Sequence, residues 1–262
     1  ECGVLVRIAH SHNSNQDKNI KYIMKQHYRK KIPQFATELF ACGKDAGDWM
    51  FTGHRYKILY NAINTSVYTY SFEKAVTIRE KLHVEQNLVI GHVGRFDAQK
   101  NHTFLLDIFS ECVNIVPNAR LLLVGDGEGR TQIQEKAKSL GLEEKVIFTG
   151  VRNDVADLLQ AMDVFVFPSL YEGVPVTMIE AQASGLPCVI SDGVPKDCVI
   201  TSGLVTSMKL SDRPCDWAKH IAAQLNRKRE NHLEEIQAAG YDIVTAAKEL
   251  ENFYLKKYGE ES

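Results

Sequence analysis

Two glutamates separated by seven residues, Glu172 and Glu180, stand in the stretch PSLYEGVPVTMIEAQASGLPCVIS at 168–191. Paired carboxylates suggest general acid/base work on a glycosidic bond. Their setting argues against a facing pair: Pro175 suits a first helical turn, so Glu172 precedes the helix and Glu180 falls roughly two turns inside it. The backbone N–H groups around Gly173, Val176 and Thr177 make the start of that helix an anion-binding end. Upstream, in GHVGRFDAQKN (91–101), a strand ends at Gly94, and Arg95 and Lys100 follow it five residues apart across a strand-to-helix loop. Glycine permits close backbone approach, and two cations can bracket a pair of phosphates. VGDGEGR (124–130) has the glycine spacing of neither a P-loop nor a dinucleotide turn and reads as a plain glycine turn. Each feature alone has a plainer alternative: solvated cations at Arg95 and Lys100, a helix-dipole partner at Glu172, a surface acid at Glu180.

The elements that must position these residues are regular from Leu88 onward. Short apolar strands are expected at 88–94, 119–125, 145–150, 164–169 and 187–191, with amphipathic helices between them. One helix, HTFLLDIFSECVNI, carries Phe104, Leu105, Ile108, Phe109, Cys112 and Val113 at helical spacing, with Asn101 placed to cap it. In YEGVPVTMIEA, Val176, Ile179 and Ala183 mark the expected buried face. Near-continuous apolar strands joined by crossover helices predict an α/β fold, a doubly wound parallel sheet that binds ligands at the carboxyl ends of its strands. Before Leu88 the pattern is less complete. A strand in GVLVRIAHS, a basic helix over 18–32, a short strand in TELFAC and another in YKILYNAI suggest a partial second α/β lobe. The expected division is residues 1–68 for that lobe and 69–262 for the complete one, with 213–258 helical throughout.

Composition limits the function classes. With 31 Lys and Arg against 33 Asp and Glu, the net charge of −2 gives no basic excess for nucleic acid. The six cysteines are scattered, without zinc spacing or a C-x-x-C pair, which fits a reducing cytoplasm. No apolar run approaches the ~20 residues that span a bilayer. Glu1 leads within three residues into the apolar run VLVRIA, so a missing N-terminal portion is expected.

Together the motifs say more than they do singly. G-R-x4-K, then V-G-D-G, F-x-G and P-S-x-x-E-G-x-P-x4-E-A-x-A-x-G-x-P, spread over strands of one sheet, resemble the donor-binding domain of the retaining GT-B glycosyltransferases of glycosyltransferase family four. The resemblance covers the whole chain and is specific from Gly91 to Gly193. It implies that Arg95 and Lys100 hold the diphosphate of a nucleotide-sugar donor, with Gly94 allowing close approach. Glu180 would accept hydrogen bonds from the ribose, Glu172 would orient the transferred sugar, and the backbone at Val151 and Arg152 would lie near the base. In the retaining mechanism attributed to this family the leaving phosphate can take the acceptor's proton, so a protein base is less necessary. No D-x-D triplet occurs, which agrees with neutralisation by Arg95 and Lys100 and with no metal or other cofactor.

The first lobe resembles the same family. RIAHSHN (7–13) matches the strand end where members carry a histidine facing the donor sugar; His10 is aligned to it, with His12 the alternate. An H-x-H pair could also ligate a metal, but no third ligand is evident. NAINT (61–65) matches a segment before the interdomain linker, with Asn64 in place of the usual Asp. Relatives carry on the order of 100 further residues ahead of this point, a domain's worth that supplies most of the acceptor site. Similar motif variants occur in bacterial capsule, exopolysaccharide and O-antigen transferases. A glycan or lipid-linked glycan acceptor is therefore expected, at the inner membrane face. The basic segment 18–31 could rest on an anionic surface, its plainer reading being a solvated helix. Two rivals are a non-catalytic nucleotide-sugar binding module and a sugar-nucleotide epimerase or phosphorylase of related architecture.

Overall fold

The computed structural model describes residues 3–12, 22–201, 203–224 and 227–259. They form two units, Glu1–Ile63 with Gly240–Ser262, and Asn64–Ala239.

In the smaller unit, β1 (Ile8–Ser11), β2 (Glu38–Ala41) and β3 (Lys57–Ile58) make a parallel sheet in that order. α1 (Tyr22–Phe35) links β1 to β2, and α2 (Lys44–Met50) follows β2. The strands are shorter than the apolar runs suggest. GVLVRIAHS pairs only from Ile8, and YKILYNAI pairs over two residues before leaving the ladder. Residues 18–21 of the expected basic helix lie outside the described residues.

The larger unit opens with α3 (Thr65–Tyr68) and α4 (Phe72–Leu82) and then alternates strand and helix. These are β4 (Leu88–Val93), α5 (His102–Ile115), β5 (Ala119–Val124), α6 (Arg130–Ser139), β6 (Val146–Gly150), α7 (Val155–Ala161), β7 (Val164–Phe167), α8 (Val176–Ala183) and β8 (Cys188–Ser191). β9 (Val205–Met208), α9 (Pro214–Gln224) and α10 (Leu233–Ala238) complete it. All six strands are parallel, in the order β6-β5-β4-β7-β8-β9. Because side chains alternate across a strand, neighbouring residues feed opposite cores. Ile90, Leu121 and Val164 pack with Leu105, Phe109 and Trp217 on the α5/α9 face. Val89, Leu122 and Phe165 pack with Leu158 and Met178 on the other. Burial on both faces explains why these strands read as apolar runs rather than alternating ones.

Three expectations need correction. The C-terminal stretch is not helical throughout, because residues 227–232 run outside a helix against the ends of α7 and α8. There Arg229 donates to the carbonyls of Ser184, Leu159 and Met162, satisfying helix-end acceptors that a continuing helix would leave open. Second, the chain returns to the smaller unit at Gly240. Ile63 N–H donates to Tyr241 O at 2.9 Å, Ile243 N–H donates to Ile63 O at 2.9 Å, and the Tyr60 and Tyr241 rings lie 4.5 Å apart. The last helix, α11 (Ile243–Gly259), sets Phe253 edge-on to Phe40 at 5.1 Å and Lys257 2.9 Å from Glu38. The units therefore divide after Ile63 and before Gly240, not between residues 68 and 69. Third, Asn101 does not cap α5 through its side chain, which donates instead to Pro168 O at 3.1 Å.

Candidate functional site

From β4 the sheet builds outward to β5 and β6, and from β7 to β8 and β9, so the winding reverses between β4 and β7. Such a reversal is where open α/β sheets take ligands, and here the loops leaving the carboxyl ends of β4 and β7 meet. The loop after β4 carries Gly94, Arg95 and Lys100; the loop after β7 carries Glu172 and Gly173.

The β4 loop is held from behind by the glycines of VGDGEGR. Gly94 N–H donates to Val124 O at 2.9 Å, Phe96 N–H to Asp126 O at 3.0 Å and Gly129 N–H to Phe96 O at 2.9 Å. Gly125 has φ +134, and a Cβ there would stand 2.1 Å from Gly94 O. The glycine turn thus serves backbone-to-backbone packing of two loops. At Gly94 a Cβ would lie 2.9 Å from His92 Nε2 and 3.2 Å from Lys100 Cγ and Cδ, so glycine lets the lysine stem lie across the strand end. Asp97 then accepts Lys100 N–H at 3.1 Å and caps a short 3₁₀ turn.

Behind Lys100 lies a buried aromatic layer that the sequence did not announce. His102 stacks on Phe96 at 4.2 Å and meets His92 edge-on at 4.7 Å. His92 Nδ1 lies 2.9 Å from Val166 O, an acceptor, so Nδ1 carries the proton. Burial pushes His102 down to about 4, with Asp97 opposing and Lys100 adding to the fall. Burial and the neighbouring His102 hold His92 well below its ordinary value. Both rings are neutral near pH 7, and Lys100 Nζ sits 4.7 Å over the Phe167 ring, an arrangement that favours a cation.

Lys100 and Glu172 meet. Nζ lies 2.7 Å from Oε1, and the two side chains are only 16% and 5% exposed. The second oxygen, Oε2, accepts from Gln99 Nε2 at 3.1 Å, and the same amide nitrogen donates to Tyr171 O at 3.0 Å. Leu170 N–H donates to Gln99 O at 2.8 Å, and Glu172 N–H to Gly193 O at 3.1 Å. Gly193 is required at that approach, since a Cβ would stand 2.4 Å from Leu170 O. Gln99 is thus part of the site, though nothing in its spacing marks it.

α8 begins at Val176 with Pro175 preceding it, which puts Glu180 fifth in the helix, one turn in rather than two. The buried residues are Met178, Ile179 and Ala181 to Ala183, while Val176, Thr177 and Gly173 are half-buried at its start. Glu180 Oε1 accepts the Tyr68 hydroxyl at 2.6 Å. Burial raises the Glu180 carboxyl above its ordinary value, and the Tyr68 bond pulls the other way. The two glutamates therefore have different partners.

The remaining predicted residues are not joined to this cluster. Arg95 is exposed, with no ion pair among the described residues. Val151, after the β6 end at Gly150, is exposed, and Arg152 forks onto Asp154 with Nε–Oδ1 2.8 Å. His10 lies on β1 in the smaller unit, exposed, its ring 5.2 Å from Phe40 and 6.1 Å from His12. Among the described residues no group of three potential ligands could hold a metal, and no helix is long and apolar enough to cross a membrane.

Residues 87–227 match the family described as Glycosyl transferases group 1. The chain is 36% identical to a Bacillus subtilis (strain 168) protein that bears the name glycosyltransferase EpsF, over 96% of this chain and 69% of that protein. It is 29% identical to an Escherichia coli UDP-Gal:alpha-D-GlcNAc-diphosphoundecaprenol alpha-1,3-galactosyltransferase, over 56% of this chain and 39% of that protein. In three dimensions it is similar to Anabaena Alr3699/HepE in complex with UDP and glucose, with TM-score 0.81 and 22% identity, over 94% of this chain and 70% of that one.

Proposed function

Since the chain belongs to the glycosyl transferases group 1 family and has the GT-B fold, we propose that its larger unit holds a nucleotide-sugar donor and that the whole protein transfers the sugar, with retention, to a glycan or lipid-linked glycan. One observation carries this reading: the Lys100–Glu172 pair, 2.7 Å apart and braced by Gln99, stands where the sheet reverses its winding. A cation and a fixed carboxylate in one site can serve two ends of one ligand, the cation a phosphate and the carboxylate a sugar's hydroxyls.

In this proposal Lys100 and Arg95 bind the diphosphate and take up its charge as it leaves. Gly94 keeps the loop low enough for phosphate to approach, and the N–H groups around Gly173, Val176 and Thr177 at the start of α8 add positive potential. Glu180, which already accepts one hydroxyl from Tyr68, would accept those of the ribose. Glu172 orients the sugar, Val151 and Arg152 flank the base, and His10 is assigned to the donor sugar on its motif alone. The leaving phosphate is the natural acceptor of the incoming hydroxyl's proton, so no protein base is assigned. The name of the Escherichia coli relative supports a lipid-linked acceptor, and with it peripheral contact with a membrane from the cytoplasmic side. Charge neutralisation by side chains makes the reaction independent of a divalent metal.

A melting-temperature panel of UDP, GDP, ADP and CMP sugars tests the first step, because a ligand that binds only the folded state raises that temperature. At least one is expected to do so, unaffected by EDTA. A flat panel, or binding that EDTA abolishes, would overturn the reading. Arg95→Ala should weaken nucleoside-diphosphate binding roughly tenfold or more, the range for a charge-assisted hydrogen bond.

A further inference from the structure

Gln99 bridges the β4 and β7 loops at three points. Its backbone carbonyl accepts Leu170 N–H at 2.8 Å, and its side-chain amide donates to Tyr171 O at 3.0 Å and to Glu172 Oε2 at 3.1 Å. Lys100, its neighbour, takes the other carboxylate oxygen. An ionised carboxylate accepts hydrogen bonds through both oxygens and has no donor of its own. Its orientation here is therefore set by one cation and one neutral amide. The two differ in what a donor does to them. A diphosphate competes for Lys100, because phosphate oxygens and Glu172 Oε1 seek the same ammonium protons. It has no such claim on Gln99, whose donor is aimed at Oε2 and at a backbone carbonyl of the opposite loop.

We infer that Gln99 is a positioning residue for Glu172, holding Oε2 so that the carboxylate keeps its orientation toward the donor sugar when the diphosphate takes Lys100. The inference rests on the donor-binding reading above and adds a residue and a division of labour to it. Lys100 serves the phosphate end, and Gln99 carries the order of the site across to the sugar end. Gln99 touches neither end itself, so its removal should be felt only by ligands that carry a sugar.

The test compares wild type with Gln99→Met, which keeps length and volume but removes the amide, and with Gln99→Glu, which keeps the shape but places a carboxylate against Glu172. The probe is the sugar nucleotide with the largest shift in the melting panel, titrated by calorimetry beside its free nucleoside diphosphate. In Gln99→Met the nucleoside diphosphate should bind within about twofold of wild type, while the sugar nucleotide loses about tenfold, the scale of one hydrogen bond to a charged group. Gln99→Glu should lose at least as much. In Gln99→Met/Glu172→Gln the sugar nucleotide's loss, taken relative to its nucleoside diphosphate in the same variant, should be no larger than in Glu172→Gln alone, because both act on one contact. Equal weakening of both ligands would make Gln99 a merely structural residue, and no change in either would remove it from the site; both overturn the inference. If wild type binds no sugar nucleotide, the donor-binding reading fails first. Additive losses in the double variant would show that Gln99 acts by some route other than Glu172.

Discussion

Glu172→Gln is expected to tighten nucleoside-diphosphate binding. Lys100 Nζ is 2.7 Å from Glu172 Oε1, in a pair of side chains 16% and 5% exposed, so a diphosphate must compete with that carboxylate for the ammonium. With its single amide oxygen held by Gln99, the variant turns its NH2 toward Lys100, so the charge-assisted bond, about 1.5–3 kcal/mol, is replaced by hydration of the freed ammonium that offsets part of it. The change of partner therefore releases about 1–1.5 kcal/mol to the incoming phosphate, a gain of roughly five- to tenfold in affinity. Removing a negative charge close to the phosphate acts in the same direction, and lower ionic strength should enlarge the effect. The variant conserves shape, and its amide oxygen can still accept from Gln99. Calorimetry with UDP, GDP and ADP on both proteins measures the effect, and a melting curve confirms that the variant is folded. Lys100→Ala/Glu172→Gln should show none of the gain. If every nucleotide binds Glu172→Gln as wild type or more weakly, with folding unimpaired, Lys100 is not shared between the glutamate and a phosphate.

Glu180→Gln should be more stable than wild type near pH 7. Burial raises this carboxyl in the folded state, so wild type loses stability as pH rises through the raised value, and the advantage should disappear below about pH 4, where the unfolded carboxyl is also protonated. Urea midpoints at two pH values measure it, and nucleotide affinity should fall about tenfold in the same variant, the worth of 1.4 kcal/mol. For His102, lowered from 6.5 to about 4, the sign is opposite. Its contribution is complete above pH 6.5 and lost as pH falls toward 4, so wild type should shed about 2 kcal/mol between pH 7 and 5 that His102→Phe retains. Gly125→Ala, with φ +134 and its Cβ 2.1 Å from Gly94 O, should lose at least about 2 kcal/mol in chemical denaturation.

What was legible in the sequence followed from how completely an element is buried. β4, β5, β7 and β8 stood out because both faces are covered, leaving runs such as LLLV and VFVF. β9 leaves no such run: its VTSM is half polar and pairs on one side only, against β8. The smaller unit was blurred for the same reason, its strands being short and partly exposed. Lys100 and Glu172 could be named from their motifs, but their pairing could not, because it depends on which strands the topology makes neighbours. Gln99 and Tyr68 reach the site through side-chain hydrogen bonds that leave no periodic trace. The division of the chain leaves no local trace, because α11 belongs with the smaller unit through Phe253 and Lys257, residues whose partners precede them by some 200 positions.

That return has a consequence for how the molecule can be assembled. The larger unit is one uninterrupted stretch, whereas the smaller one is stitched from two segments, joined where Ile63 bridges Asp242. Closing a loop of roughly 180 residues is entropically costly for an unfolded chain. The larger unit removes most of that cost once folded, because its own two ends lie together, with Gln237 Nε2 donating to Thr65 Oγ1 at 3.4 Å. It then presents the flanking segments side by side, and the smaller unit can zip up as a short-range event. Folding from the inside outward is the order expected from this connectivity, and a frameshift after Ala239 should dismantle the smaller unit while sparing Lys100, Glu172, Glu180 and Tyr68.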